Sequence, residues 1–309
     1  MISVIMSTYR ENSEYVYQSI CSILAQTYAD FEIIIVIDDP DNERILSVVR
    51  QLASEDSRIT VVRNERNLGL PMSLNKALSL AKGDYIARMD ADDISHPRRF
   101  ELQMHYMMQN NLDLVGTCKR CIDEAGALIP ESNSRHYSPD AVMRRLRVDD
   151  CIPHATWFAK KSVYDRVGAY RSMPRCEDYD FLLRAHALGI PMGLCSEILF
   201  DHRINDTGIS RSGALEQVLA SWYLTKHYKR IDQITVEEVI NDIRPRLTPT
   251  AINRYIEAAD LFEDAAKLYR EGKLLQCGLN LLKCVFTSKY CARKVFNSVQ
   301  LKVTEYFAK

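Results

Sequence analysis

Apolar residues along the first ninety positions alternate between two spacings. "ISVIMST" is a short apolar run of strand length. "NSEYVYQSICSILAQTY" then puts Val16, Ile20, Ile23 and Leu24 on one helical face, with Asn12 or Ser13 as its N-cap. "FEIIIVI" is a nearly continuous β-branched run, the pattern of a strand covered on both faces. "ERILSVVRQLAS" returns to the helical period, "RITVVR" reads as a third strand, and "SLNKALSLA" as a third helix stopped near Gly83. "DYIARM" is the fourth strand.

Strands alternating with helices predict right-handed crossovers and a parallel sheet covered on both faces. Ligands of such sheets bind beyond the carboxyl ends of the strands. In this chain those ends are polar: Ser7, Thr8 and Tyr9 after the first strand, Asp38 and Asp39 after the second, Asn64 after the third, and Asp90, Asp92 and Asp93 after the fourth. Beyond residue 100 the alternation weakens. "RRFELQMHYMMQNN" is helical, "LDLVGTCKRCID" and "SEILFDHR" are strand-like, residues 130 to 140 form a polar loop, and the second half of "CEDYDFLLRAHALG" has helical spacing. From Gly213 the pattern is helical, broken at Pro245 and Pro249, with a helical hairpin over residues 251 to 286 turning at Gly272. The expected organisation is one α/β domain in two halves (1–115 and 116–212) followed by a C-terminal helical region (213–309).

Composition narrows the field. With 309 residues and 47% hydrophobic content the chain can bury a sizeable core, and a net charge of -1 points away from a nucleic-acid partner. No apolar run reaches the roughly 18 residues of a membrane span, and the N-terminus has no signal-peptide pattern. The expected location is the cytoplasm, with a peripheral position on the membrane open. Nine scattered cysteines include one lone CxxC, Cys118 and Cys121; Cys277, Cys284 and Cys291 recur every seven residues, the spacing of a buried helix stripe.

The acids carry the chemistry. Two carboxylates about 4 Å apart repel by roughly 4 kcal/mol at an effective dielectric near 20. One must keep its proton or a cation must join them. A hard divalent ion with oxygen ligands, Mg²⁺ or Mn²⁺, is the natural partner, and such ions also bind substrate phosphates. A second group, Glu177, Asp178 and Asp180, either complements a helix N-terminus or supplies a general base. His202, Arg203 and Ser210 stand where donors could stabilise a departing diphosphate, whereas Arg98 and Arg99 read as solvated surface charge.

Together, "VIMSTYRE", "IDDPD", "NLGLPMSLNKALSLAKGDYIARMDADDISHPRR", "IPHATWFAKK" and "CEDYDFLLRA" resemble the family 2 glycosyltransferases, in particular bacterial polysaccharide and O-antigen sugar transferases. The resemblance covers about residues 1 to 210. It implies the GT-A fold, an α/β architecture with a Rossmann-like, mostly parallel sheet and helices on both faces, here with a C-terminal helical extension. It also implies an inverting transfer from a nucleotide-sugar, usually a UDP-sugar, to a hydroxyl of a saccharide acceptor. By position, Thr8, Tyr9, Glu11, Asp38, Asp39, Asn67, Asn75 and Asp90 are implied at the nucleotide, with Asp39 the base contact. Asp92, with Asp90, is implied at the Mn²⁺ or Mg²⁺. Asp178 is implied as the catalytic base. His154, Glu177, His202 and Arg203 are candidates for the diphosphate or acceptor. Two departures stand out: Pro40-Asp41 follows the acidic pair where the family commonly has Gly-Ser, and Asn205 stands where the late loop often has histidine.

From Gly272 to Thr304 there is no acidic residue, and Lys273, Lys283, Lys289, Arg293, Lys294 and Lys302 are interleaved with apolar side chains. That pattern suits either a packed helix with a solvated basic face or a helix lying on an anionic membrane. The second would suit an undecaprenyl-diphosphate-linked acceptor. Three other functions compete. A sugar-phosphate nucleotidyltransferase would carry a Gly-rich basic loop after the first strand, and "MSTYRENSEY" has neither glycine nor lysine. A non-catalytic scaffold of a polysaccharide assembly complex would not need both Asp92 and Asp178. A dinucleotide oxidoreductase lacks its GxGxxG.

Overall fold

The computed structural model describes residues 1–130, 136–204, 213–293 and 295–296. The first half runs β1 (Ile2–Thr8), α1 (Ser13–Leu24), β2 (Phe31–Ile37), α2 (Glu43–Glu55), β3 (Ile59–Arg63), α3 (Leu70–Leu80), β4 (Tyr85–Asp90), β5 (Ile94–Ser95) and α4 (Arg99–Gln109). It continues with β6 (Leu114–Ile122), α5 (Pro139–Arg145), β7 (Phe158–Lys160), α6 (Lys161–Val167), α7 (Glu177–Ala187) and β8 (Met192–Arg203). Then come α8 (Ala214–Lys226), α9 (Val236–Ile243), α10 (Pro249–Arg270) and α11 (Leu274–Thr287). The chain divides into two compact units. One is Met1–Ser172 with Glu177–Thr207; the other is Met173–Cys176 with Gly208–Lys309.

The first unit holds an eight-stranded sheet in the order β3-β2-β1-β4-β7-β6-β8-β5. β3, β2, β1 and β4 are mutually parallel, as the alternation predicts. The continuous apolar run of β2 is explained by its neighbours. Ile33, Ile35 and Ile37 pack with residues of α1 and α2 on one face, and Ile34 and Val36 with Leu74 and Ala77 of α3 on the other. Burying each such side chain contributes about 1.5–3 kcal/mol.

The second half of the sheet is mixed. β7 inserts antiparallel between β4 and β6, and β5 pairs antiparallel with β8, while β6 and β8 are parallel. The three residues of β7 are too few to show a period, so the sequence does not reveal this strand. α5 is a second element that sequence reading passes over: Ser138 caps it and Pro139 opens it at the end of the expected polar loop. α7 occupies the whole segment from Glu177 rather than its second half, because the three acids sit in its first turn, where carboxylates complement the helix dipole.

Two expectations are corrected. Gly83 does not terminate α3, which ends at Leu80. A Cβ at Gly83 would stand 2.7 Å from the Ser3 nitrogen and 2.8 Å from the Met1 oxygen, so close approach to β1 requires glycine. Arg99 is not surface charge. It is fully buried, and its guanidinium donates to the Arg88 carbonyl at 2.8 Å and to Gln103 Oε1 at 2.9 Å. Burial, then the neighbouring Arg88, pulls its pKa down to about 9. Arg98 remains exposed beside Glu101.

In the second unit α10 and α11 form a hairpin turning at Gly272, whose φ is +74°. Pro245 follows α9, and Pro249 opens α10 behind a Thr248 cap. Cys277, Cys284 and Cys291 are all buried, the inward stripe their spacing predicts. Among the described residues no helix is long and apolar enough to cross a membrane.

Arg99→Leu leaves the Arg88 carbonyl without this donor and is expected to cost about 3 kcal/mol of unfolding free energy. Arg98→Ala should stay within about 0.5 kcal/mol. Urea unfolding midpoints of the two variants check the contrast.

Candidate active site

The carboxyl ends of β1, β2 and β4 lie side by side because these strands are adjacent and parallel. After β1, Glu11 folds the chain back: its carboxylate accepts from Thr8 Oγ1 and from the Tyr9 nitrogen, both at 2.7 Å. Asn12 then caps α1. After β2 the two acids part. Asp38 is buried and accepts from Asn64 Nδ2 at 2.7 Å, the Leu68 nitrogen at 2.8 Å and the Gly69 nitrogen at 2.9 Å. It therefore shapes the β3–α3 loop. Asp39 is half-buried in an ion pair with the exposed Arg10 at 3.1 Å, and bonding to Arg10 and the Asp41 backbone holds its pKa low. The exposed Asn67 accepts from the Gly69 nitrogen. Asn75, expected at the nucleotide, is instead bonded on both sides to the Tyr170 backbone, at 2.9 and 2.8 Å.

The acids after β4 meet three different fates. Asp90 lies 2.5 Å from Nη1 of the buried Arg88. Its own burial raises its pKa, but the Arg88 charge prevails and the carboxyl is held low. Asp93 is fully buried, accepts from the Arg203 nitrogen at 2.8 Å, and meets His202 Nδ1 at 3.2 Å. It joins the turn to the end of β8. Asp92 remains half-buried among Asp93, Asp90 and Glu11. Burial first, then those three carboxylates, push its pKa up to about 7.

Arg203 corrects an expectation. Its side chain is buried rather than presented to a diphosphate. Nε donates to the Asp92 carbonyl at 2.9 Å, Nη1 to the Glu124 carbonyl at 3.1 Å, and Nη2 to Gln18 Oε1 at 3.0 Å. Ser210 and Asn205 lie outside the described residues.

A cavity of about 450 Å³ opens beside β4. Its wall brings together Asp90, His154, Asp178 and His202 from four separate stretches of chain. It also includes Lys119, Asp149 and Asp150, which the sequence reading did not single out. The adjacent acids in "RVDDC" were the available signal. Asp178 is half-buried in the first turn of α7, and burial raises its pKa. Asp150 is exposed at the cavity wall, where partial desolvation and then the Asp178 charge raise its pKa. The same two causes push Glu177 up to about 7. His154 meets the Tyr170 hydroxyl at 3.0 Å and packs edge-on to Trp157, and burial drops its pKa well below the usual value, so its imidazole is neutral. Asp180 does not reach the cavity wall: it is fully buried between Arg171 and Arg184.

The model of the family described as "Glycosyl transferase family 2" matches residues 3–167. The chain belongs to glycosyl transferase family 2. It is 36% identical over 232 residues to the O-antigen biosynthesis glycosyltransferase WbnJ of Escherichia coli, which spans 74% of this chain and 90% of that one. Two solved structures share the fold at low identity. S. aureus TarS 1-349 in complex with UDP-GlcNAc covers 100% of this chain and 92% of its own, with TM-score 0.58 and 17% identity. The mannosyltransferase PcManGT of Pyrobaculum calidifontis, in complex with GDP-Man and Mn²⁺, covers 97% and 79%, with TM-score 0.58 and 16% identity. This family 2 chain thus has the GT-A-like α/β fold, with C-terminal helices added.

Asp92 fits a hard divalent cation, because a positive charge there would relieve the repulsion that lifts its pKa. Among the described residues no three His, Cys, Asp or Glu side chains are grouped so as to hold a metal ion.

The raised Asp92 gives a signed prediction. Its folded pKa lies above its unfolded value, so between about pH 4 and about pH 7 the folded state holds the extra proton and stability falls as pH rises. Asp92→Asn should flatten that fall in thermal melting. Mn²⁺ should raise the wild-type melting temperature chiefly at the upper end of the window, and should not do so in the variant.

Proposed function

We propose that this chain is an inverting, metal-assisted glycosyltransferase. It moves a sugar from a nucleotide-sugar, a UDP-sugar by preference, to a hydroxyl of a lipid-linked saccharide during cell-surface polysaccharide or O-antigen synthesis. The observation that carries the reading is the meeting, on one cavity of a family 2 chain, of a strand-end carboxylate, Asp90, with a carboxylate of raised pKa, Asp178. The complexes of TarS with UDP-GlcNAc and PcManGT with GDP-Man and Mn²⁺ support the donor class and the cation. The name of WbnJ supports the pathway. A saccharide on undecaprenyl diphosphate is the proposed acceptor.

In this reading residues 1–115 take the donor and residues 116–212 the acceptor. Thr8, Tyr9, Glu11 and Asp39 border the nucleotide, while Asp38 holds the loop that shapes its site. Asp92, with Asp90 beside it, would hold Mn²⁺ or Mg²⁺, which when bound supplies charge neutralisation for the departing diphosphate. Asp178 accepts the acceptor's hydroxyl proton, the oxygen bonds to the anomeric carbon, and the bond from that carbon to the nucleotide diphosphate breaks on the opposite face. The proton rests on Asp178 and the electron pair leaves with the diphosphate. Raising the pKa of Asp178 makes it a stronger base for this step. Asp150, beside it on the cavity wall, has its own pKa raised partly by the Asp178 charge, so the two carboxyls titrate in each other's field. His202 and neutral His154 orient the diphosphate or acceptor from the cavity wall.

Asp178→Asn should lower kcat by about a hundredfold or more while leaving nucleotide-sugar affinity nearly unchanged. Nucleotide release measured beside calorimetric donor binding checks both halves. Normal turnover by this variant would overturn the base assignment. A panel of nucleotide-sugars tested for thermal shift with Mn²⁺ should give a response to UDP-sugars that EDTA removes. A chain that binds them without ever releasing nucleotide would be the scaffold instead.

A further inference from the structure

α11 is apolar on two opposite sides. Cys277 and Cys284 lie on one side and are buried. Leu275, Leu279, Leu282 and Phe286, spaced 4, 3 and 4 residues apart, fall on the other side, about half a helical turn away. They are 80%, 51%, 57% and 87% exposed. Leu274 and Val285 widen the exposed stripe. Single exposed leucines are ordinary, but a contiguous outward face of this kind marks an interaction surface.

Charge selects the partner. α11 contains no acid, and its only charged residue is Lys283; Lys273 precedes it, and Lys289 and Arg293 follow, all exposed. The acids of the hairpin are segregated on α10, as Glu257, Asp260, Glu263 and Asp264, with Glu271 at the turn. A second copy of this face would bring like charges together. An anionic surface would be attracted, while its apolar interior took up the leucines and the phenylalanine. Lys294 and Lys302, which continue the basic pattern in sequence, lie outside the described residues.

We propose that α11 is a membrane-docking helix. It lies in the plane of an anionic lipid surface, with Leu275, Leu279, Leu282 and Phe286 below the headgroups and Lys273, Lys283, Lys289 and Arg293 at headgroup level. This goes beyond the transfer reaction and does not depend on it, because the readout is lipid binding by the full chain in the absence of donor.

Flotation with vesicles of equal phosphatidylglycerol and phosphatidylethanolamine should carry the wild-type chain upward. Vesicles of phosphatidylcholine alone should carry it several-fold less, and raising the salt should weaken binding. Removing apolar contacts of this size through Leu279→Gln, Leu282→Gln and Phe286→Gln together should reduce partitioning by at least about tenfold. Lys283→Glu with Lys289→Glu should remove the preference for anionic lipid. All these side chains are exposed, so circular dichroism and nucleotide-sugar turnover should remain those of the wild type. Indifference of the wild-type chain to anionic vesicles overturns the proposal, as does unchanged flotation of the triple variant. So does a concentration-dependent dimer, seen by light scattering, that the triple variant abolishes while lipid binding persists.

Discussion

The mutual repulsion of the carboxylates after β4 is the constraint around which the first unit is arranged. Each acid is handled separately. Arg88, buried within β4, neutralises Asp90 from behind. Asp93 is withdrawn from solvent and bonded to the end of β8. Asp92 stays half-buried, and burial and then the charges of Asp93, Asp90 and Glu11 raise its pKa to about 7. A cation at this turn would relieve that crowding, so the local cost and the proposed function would share one electrostatic origin.

Arginines extend this arrangement inward. Arg99 reaches the β4 backbone from α4, and Arg203 closes the Asp92 turn from β8. Both spend their donors on protein carbonyls, which makes them frame and not substrate contacts. Asp180 between Arg171 and Arg184 does the same for α7 and fixes the helix on whose first turn Asp178 sits. The reacting groups proposed here thus stand on rigid elements, as a site that must hold reactants in a narrow geometry requires.

Raised pKa values gather where the chemistry is proposed. Asp178, Asp150 and Glu177 all shift upward, each first by desolvation, and the Asp178 charge then adds to the shifts of Asp150 and Glu177. Such clusters are characteristic of functional sites, where environment separates acid from base. The second unit shows a different physics, with α11 apolar on both sides and its charge of one sign.

The sequence by itself determined the alternating first half of the sheet, the strand ends at which the polar groups collect, the helical hairpin at Gly272 and the inward cysteine stripe. Spacing decides these directly, since a period of two or 3.6 says which side chains share a face. It does not say which distant segments meet. Tertiary structure alone decided that β7 enters between β4 and β6, and that Arg99 and Arg203 are buried. It also decided that Asn75 serves the Tyr170 backbone and that Asp150 joins Asp178. An arginine is written the same way in a sequence whether its guanidinium faces water or three carbonyls. Only the long-range packing that removes the water settles which, and so which charges remain for chemistry.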